Sequence, residues 1–391
     1  MSARGRPLRL PIVLAAALLS LPGITAAQVP EPVWDGAAAS RLLAYAEEVG
    51  SQGLVPATYG AAALRAAIDS GTVPALDAAA NRVFAALARD LQGGHVSPGQ
   101  RRQASFPSSD LSDDDITALR TRAIASGNVA AVLDGLAPQT PDYALLRRSL
   151  AELPSSASDQ RDKIAASLER LRWLPRRLGS TYVWVNIAAY RALIVRDGET
   201  VADHRIIVGK PSTPTRQFAA TITGVILNPS WQVPQSIIAE SVGQMVRSAP
   251  GRARAQGYSW TRTGGQLRVV QAPGPRNALG AMKLDMANPF EIYIHDTPDK
   301  ALFGNSARRF SHGCIRTDRP LEFAAILLKG ETSPAEAARG GTTVRLPITQ
   351  PVPVYVVYLT ASADPAGEVV YSDDFYGLDR GLNAALARPR P

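Results

Sequence analysis

Residues 181–198 read TYVWVNIAAYRALIVRDG, two strand patterns followed by a turn. Residues 182–187 and 193–195 are rich in β-branched and aromatic side chains, which pack well on the pleated surface of a sheet. Asp197-Gly198 comes next, and this pair tolerates the positive φ that both central positions of a tight primed turn require. The stretch therefore predicts a β-hairpin that begins a sheet.

Further strand patterns follow this hairpin and make the second half of the chain mainly β. They are residues 204–208, 221–227, 267–271, 291–295, 342–346 and 354–359. A helical patch at Ser236 to Arg247 and a Gly/Arg-rich loop from Gly251 to Gly257 interrupt them. A later helix is predicted from about Arg319 to Lys329, with Asp318 as its N-cap.

The chain before the hairpin has a different composition. Residues 34–150 are rich in Ala, Leu and Arg at helical spacing, which predicts several short helices. Ser112 precedes three aspartates and marks one helix start. A linker-like segment, 153–158, and an amphipathic helix from Asp162 to Trp173 separate the two halves. The predicted fold class is α+β, with a helical domain followed by a mainly β domain.

The first 27 residues have the pattern of a secretory signal peptide. Arg4, Arg6 and Arg9 precede an apolar run from Leu10 to Leu21, and small residues end at Ala27. The alternative is a membrane anchor, but this run is broken by a proline and is shorter than the ~20 apolar residues that span a bilayer. We therefore expect a cleaved leader, an exported protein and no stable membrane span.

Composition limits the class of protein. The chain has 391 residues, 46% hydrophobic and 19% charged, which suits a globular protein of two or three domains. Its formal charge is +8. No block of basic residues with interleaved aromatics occurs, so no nucleic-acid partner is expected. The positive charge fits either an anionic neighbourhood or an ordinary basic surface.

The chain has a single cysteine, Cys314, which cannot form an intramolecular disulfide. It is either a buried apolar residue or a nucleophile. Two of the four histidines, His295 and His312, lie close to it in sequence. Either imidazole would favour the thiolate that attacks a carbonyl carbon. This grouping favours the nucleophile.

The residues around the cysteine have further chemical uses. Gly313 lets the backbone approach a substrate, and the N–H groups of Gly313 and Cys314 are candidate donors to an oxyanion. Arg316 is able to bind a carboxylate through two parallel hydrogen bonds. The two histidines and the cysteine are zinc-ligand types, but the paired spacing of zinc sites is absent. No metal and no cofactor is expected.

The run Ser311-His312-Gly313-Cys314-Ile315-Arg316, with His295 upstream, resembles the signature of the YkuD-type L,D-transpeptidases. The likeness extends to the YcbB-like branch, in which a helical scaffold domain precedes the catalytic sheet. Residues 228–234, NPSWQVP, are similar to that branch's motif at the start of its capping insertion, and residues 292–298, IYIHDTP, to its histidine strand. The tail from Asp364 to Tyr376 looks like its terminal hairpin and short helix.

The resemblance implies a division of the chain into named parts. The expected parts are a signal peptide (1–27), a scaffold domain (34–152), a linker and connecting helix (153–178), a catalytic domain (179–350) with a capping insertion (about 236–271), and a C-terminal hairpin and tail packed on the catalytic domain (351–391). Members of the branch often carry a peptidoglycan-binding module between scaffold and catalytic domain. The linker here is too short to hold one.

The resemblance also implies roles for individual residues. Cys314 is expected to be the nucleophile and His295 its general base; the residues alone do not exclude His312, although a strand end holds His295 more rigidly. The expected supports of the oxyanion and pocket are His312, Gly313, Ser311 and Arg316. The expected substrate-binding residues are Tyr293, Asn228 and Trp231.

The implied activity is transfer of the acyl group of a peptidoglycan tetrapeptide stem from a Cys314 thioester to the side-chain amine of a diamino acid on a neighbouring stem, which forms a 3-3 cross-link. Carbapenems are expected inhibitors, and the periplasm, facing the cell wall, is the expected location. Two alternatives stay open: an L,D-carboxypeptidase or endopeptidase acting on the same stems, and a non-catalytic wall-binding scaffold. A papain-like protease is excluded because it places its cysteine before its histidine.

Overall fold

Seven helices occupy the first part of the computed structural model, which describes residues 32–101, 103–364 and 366–389. They are α1 (Gly36–Glu48), α2 (Ala61–Ser70), α3 (Val73–Gly93), α4 (Asp113–Ser126), α5 (Val129–Asp134), α6 (Pro141–Glu152) and α7 (Ser158–Arg172). The predicted leader lies outside the described residues. Within them, no helix has both the length and the apolarity needed to cross a membrane.

Helix α4 begins as the sequence predicted. The Ser112 side chain accepts a hydrogen bond from the N–H of Asp115, and the Asp115 carboxylate accepts one from the N–H of Ser112. This reciprocal capping box satisfies two backbone donors that the first turn leaves without partners.

Fifteen strands lie in the described residues. They are β1 (Ala104–Ser105), β2 (Thr181–Asn186), β3 (Arg191–Arg196), β4 (Glu199–Gly209), β5 (Gln217–Leu227), β6 (Trp231–Gln232), β7 (Tyr258–Thr263), β8 (Gln266–Gln271), β9 (Met282–Ala287), β10 (Ile294–His295), β11 (Arg309–Ser311), β12 (Ile315–Thr317), β13 (Val344–Val357), β14 (Ala361–Ala363) and β15 (Val369–Tyr371). The predicted hairpin is confirmed: Asp197 and Gly198 join β3 to β4 with φ of 51° and 88°.

The main sheet runs in the order β1-β5-β13-β2-β3-β4-β12-β10-β9, and β9 also pairs with β5. The pairing path therefore closes on itself around a core that includes Val183, Val185 and Val356. Successive residues of a strand point to opposite faces, so Trp184 and Val357 point outward. There they share one continuous core with the helices α1 to α7. The helical region is thus packed on the outside of the sheet.

Helix α7 connects the helical region to the carboxyl end of the chain. Its Ser167 hydroxyl accepts the N–H of Ala361 at 3.0 Å, and its Arg170 lies 2.6 Å from the Asp379 carboxylate. Both charged side chains are largely buried. Asp379 begins α13 (Asp379–Leu386), so the tail is fixed to the connecting helix.

A separate subdomain is inserted between β5 and β9. It contains the three-stranded sheet β6-β8-β7 and the short helices α8 (Gln235–Ile237), α9 (Gly243–Ser248) and α10 (Pro250–Ala255), with a π-helical turn at Ile238–Val242. Its own apolar core includes Trp231, Val242 and Val269. We call this subdomain the cap. The predicted Gly251 to Gly257 loop is wrong, because α10 occupies most of it.

Three other predictions about elements need correction. A single strand, β13, replaces the two expected at 342–346 and 354–359, and it crosses the predicted boundary at residue 350. β10 has two residues instead of the five predicted. The predicted helix after Asp318 is α11 (Pro320–Leu327), followed by α12 (Pro334–Ala338). Asp318 does not cap α11, because its carboxylate accepts from the backbone and side chain of Arg205 instead.

Candidate active site

Cys314 lies in the short loop between β11 and β12. Ser311 fixes this loop, since its hydroxyl donates to the Cys314 carbonyl at 2.5 Å and accepts the Gly313 N–H at 3.1 Å. Thr215 donates to the Gly313 carbonyl at 2.8 Å. Gly313 has φ of 115°, a conformation that side-chain-bearing residues rarely adopt. The predicted support residues Ser311 and Gly313 therefore hold the backbone of the cysteine.

The carboxyl-terminal tail reinforces the same region. The Tyr376 hydroxyl donates to the Gly209 carbonyl at 2.6 Å and accepts the Thr215 N–H at 3.1 Å. Thr215 in turn accepts the Gly209 N–H at 2.9 Å. The tail thus supports the residue that fixes the Gly313 carbonyl.

His295 lies on β10, which runs parallel to β12 and places His295 beside Arg316. The side chain is 5% exposed, and its Nδ1 has no hydrogen-bond partner in the described part of the chain. Burial, and secondarily the charge of Arg316, lower the pKa of His295 to about 3. The imidazole is therefore neutral at physiological pH, with an unpartnered ring nitrogen that is able to accept a proton.

The Cys314 thiol is free and partly buried. Burial raises its pKa, although hydrogen bonds from Tyr293 and the charges of Lys283 and Arg316 act in the opposite direction. Its Sγ lies 4.0 Å from the Glu291 carbonyl, and no hydrogen bond to His295 is found among the described residues. The resting pair is thus a neutral thiol and a neutral imidazole, instead of the thiolate expected from the sequence.

Tyr293 and Trp231 lie beside the nucleophile. Tyr293 packs against the apolar core of the cap, which includes Trp231, and burial raises its pKa. Its ring centroid is 5.5 Å from that of His295. Trp231 belongs to β6, the first strand of the cap, so these two aromatic side chains join the cap to the catalytic sheet. Their expected contact with substrate stays a prediction.

Asn228 has different contacts. Its side-chain amide donates to the carbonyls of Ala338 and Thr342 at 2.7 and 3.2 Å, and its backbone has φ of 46°. These bonds connect the residue before the cap to the end of α12 and to the segment that follows it. Its expected contact with substrate stays a prediction.

His312 faces the cap. Its Nε2 lies 2.8 Å from Oε2 of Glu240, which is in the π-helical turn, and Lys210 Nζ lies 3.1 Å from the other carboxylate oxygen. These two bonds lower the pKa of Glu240, Lys210 having the larger effect. His312 is therefore engaged with the cap through its Nε2, whereas the Nδ1 of His295 is a buried atom without a partner among the described residues.

An oxyanion at this site has one fewer backbone donor than the sequence suggested. The Gly313 N–H is already bonded to Ser311, whereas the Cys314 N–H donates to no atom of the described residues. The predicted support residue Arg316 has its Nη1 3.7 Å from Asp299, and its buried Nε is unpartnered. The Cys314 N–H is thus the candidate donor to a developing oxyanion.

Sequence reasoning did not single out Lys283, Glu240 or Asp296. Lys283 is paired in register with His295 on the antiparallel strand β9. Asp296 follows His295, is buried, and accepts the Ala281 N–H at 2.8 Å while it forms an ion pair with Lys300. The sequence offers one local signal, because Asp296 is adjacent to the histidine. The other two come from distant segments.

Comparison with known proteins agrees with this arrangement. Residues 180–354 match the family model of YkuD, the L,D-transpeptidase catalytic domain. Residues 26–150 match the model of the Scaffold domain. The chain therefore contains an L,D-transpeptidase catalytic domain of the YkuD type, preceded by a Scaffold domain.

One curated relative and two solved structures illustrate the similarity. The relative, from Haemophilus influenzae and named "Putative L,D-transpeptidase", is 30% identical over 280 residues, which cover 65% of this chain and 56% of the relative. The chain thus spans little more than half of that protein. The Ldtfm-avibactam carbamoyl enzyme is 17% identical over 47% of this chain and 51% of its own, with a TM-score of 0.27. An L,D-transpeptidase from Mycobacterium smegmatis is 16% identical over 46% and 58%, also at 0.27.

Proposed function

We propose that this protein cross-links peptidoglycan by transferring the acyl group of a tetrapeptide stem, after loss of its terminal residue, from Cys314 to an amine of a neighbouring stem, with His295 as general base. The observation that carries the proposal is the buried imidazole beside the nucleophile loop, neutral at physiological pH and unpartnered at Nδ1. A catalytic base needs a free lone pair, and the Nδ1 of His295 offers one on the strand that pairs with β12, which begins directly after Cys314.

The first half of the reaction forms a thioester. As the Cys314 sulfur attacks the carbonyl carbon before the terminal residue of the donor stem, its proton passes to His295. The developing oxyanion accepts the Cys314 N–H. The C–N bond then breaks, and the imidazolium returns its proton to the leaving amine. The stem remains on the sulfur as an acyl group.

The second half transfers that acyl group. The side-chain amine of a diamino acid on the acceptor stem attacks the thioester carbon, His295 takes a proton from the amine, and the thiolate leaves and is reprotonated. The thioester must survive until the acceptor arrives. The cap, connected to the nucleophile loop through Glu240 and His312, supports transfer over hydrolysis because it shields the sulfur from water.

The location and partners belong to the same proposal. The protein is exported and acts in the periplasm on stem peptides as donor and acceptor. Carbapenems acylate Cys314, because their strained ring opens on the same nucleophile.

Mass spectrometry of purified protein incubated with tetrapeptide muropeptides tests the reaction. Cross-linked dimers and a thioester on Cys314 are expected. His295→Gln should lose both products, whereas His204→Gln, which changes another buried histidine, should keep them. If only tripeptides form in the presence of abundant acceptor, the activity is that of a carboxypeptidase and the transfer proposal is wrong. No adduct on Cys314 would refute the cysteine mechanism.

A further inference from the structure

Two cations flank His295 on neighbouring strands. Lys283 on β9 and Arg316 on β12 are each paired in register with His295 on β10. Side chains directly opposite one another on one face of a sheet lie roughly 5 Å apart at Cβ. A row of cation, imidazole and cation therefore crosses the sheet next to the nucleophile.

The two cations differ in their partners. Arg316 has the Asp299 carboxylate 3.7 Å away. The side-chain Nζ of Lys283 has no carboxylate within ion-pair distance and no hydrogen-bond partner among the described residues. Its Nζ instead lies 3.9 Å from the centroid of the Tyr293 ring. A cation over an aromatic face keeps its N–H groups available to an anion.

Lys283 is also close enough to the sulfur to affect it. Burial lowers the pKa of Lys283, and a charged thiolate at Cys314 acts in the opposite direction; the charge of Lys283 in turn lowers the pKa of Cys314. The Ile315 N–H donates to the Tyr293 carbonyl at 3.0 Å, so the residue whose ring lies under the ammonium is bonded to the residue directly after Cys314. The unpaired ammonium thus lies near the Cys314 sulfur, where the atoms around the scissile bond must bind.

The chemistry of the donor supplies an anion at that place. When the terminal residue of a peptide is the leaving group, a single Cα separates the scissile amide nitrogen from a free carboxylate. A cleavage inside a peptide has a neutral amide at the same position. A cation beside the nucleophile therefore distinguishes the two kinds of bond.

We propose that Lys283 pairs with the terminal carboxylate of the donor stem and makes the enzyme specific for bonds to a C-terminal residue. This inference rests on the proposed function. Lys283 is then a specificity-determining residue, whereas Arg316, which has an acidic neighbour, supports the site. A donor without the carboxylate leaves the half-buried ammonium without an anion, and this loss weakens binding in the transition state.

The test compares two donors that differ only at the terminus. One is a tetrapeptide stem with a free terminal carboxylate, and the other is the same peptide with a terminal primary amide. The measured quantity is the ratio of their kcat/KM values for release of the terminal residue. Any effect of Lys283 on the reactivity of the thiol is common to both donors and cancels in this ratio.

The wild type is expected to prefer the carboxylate donor by about tenfold to a hundredfold. Lys283→Met and, as a second neutral variant, Lys283→Gln should reduce the ratio to near one, while Lys283→Arg should retain most of it. Lys329→Met, which changes an exposed lysine bonded to Gln350, is the matched control and should behave as the wild type. A ratio unchanged in both neutral variants would overturn the inference. If wild-type protein forms a thioester with neither donor, the proposed function itself fails.

Discussion

His295→Gln is expected to flatten the dependence of stability on pH. The pKa of His295 in the folded protein is about 3, mainly because the side chain is buried. In an unfolded chain histidine titrates near ~6.5. Between these two values the unfolded chain binds a proton that the folded protein does not, so the free energy of unfolding falls as the pH falls.

The magnitude follows from that difference. A proton bound only by the unfolded state lowers the free energy of unfolding by about 1.4 kcal/mol for each pH unit below ~6.5. This loss amounts to about 2 kcal/mol at pH 5. Residues Val33–Pro391 form one compact unit, so a single unfolding transition is expected. For a unit of this size, the loss corresponds to about 3 °C in Tm.

Urea unfolding of wild type and His295→Gln from about pH 7.5 to 5 measures the effect. The substitution also has a cost that is the same at every pH, so the two slopes are compared and not the absolute values. His204→Gln is the control. Burial lowers the pKa of His204 too, so His204→Gln should also make the free energy of unfolding less dependent on pH. Unlike His295→Gln, it should keep thioester formation. Equal slopes in wild type and His295→Gln would refute the reasoning.

Other outcomes follow from packing and charge. Gly280→Ala should cost about 1–3 kcal/mol and slow acylation, because its Cβ would lie 2.3 Å from the Asp296 carboxylate at a φ of 62°; Gly251→Ala, with no atom within 4 Å, is the control, and equal melting and acylation of the two would contradict this. Arg170→Met should cost about 3–5 kcal/mol in urea unfolding, because it leaves the buried Asp379 carboxylate without its cation, and a double variant with Asp379→Leu should recover part of this loss. Cys314→Ser should fold normally yet lose or sharply weaken the carbapenem adduct in mass spectra; an undiminished adduct would mean that another residue is acylated.

Local structure was predictable where a particular residue type suits the backbone conformation or the cap that one position requires. Asp197-Gly198 is suited to the positive φ of a tight hairpin turn, and Ser112 is suited to a helix start. The class of each half of the chain was predictable for a similar reason, because the hydrophobic spacing changes near residue 180. These features depend on neighbours in the sequence.

Elements that depend on distant partners were mispredicted. Asp318 looks like a helix cap in sequence, but Arg205 on β4 offers it a backbone N–H and a guanidinium. The short helix α10 has the composition of a loop, and Ala253 is buried within the apolar core of the cap. Packing against the cap stabilises a helix that is too short to form alone.

The candidate site likewise contains residues that the sequence predicted and residues that only the fold brings together. Residues of the signature are adjacent in sequence, so their grouping was visible before the structure. Lys283 and Glu240 reach the site through strand pairing and through the fold of the cap, and no local pattern reveals either contact. The pKa directions of Cys314 and His295 also required burial to be known.

The contact between Glu240 and His312 connects the position of the cap to the conformation of the loop that carries Cys314. His312 is two residues before the nucleophile, so a motion that lifts the cap breaks a bond between the cap and the loop that carries Cys314. In the proposed two-step transfer, opening the cap for the acceptor stem would therefore also readjust the loop that bears the acyl group.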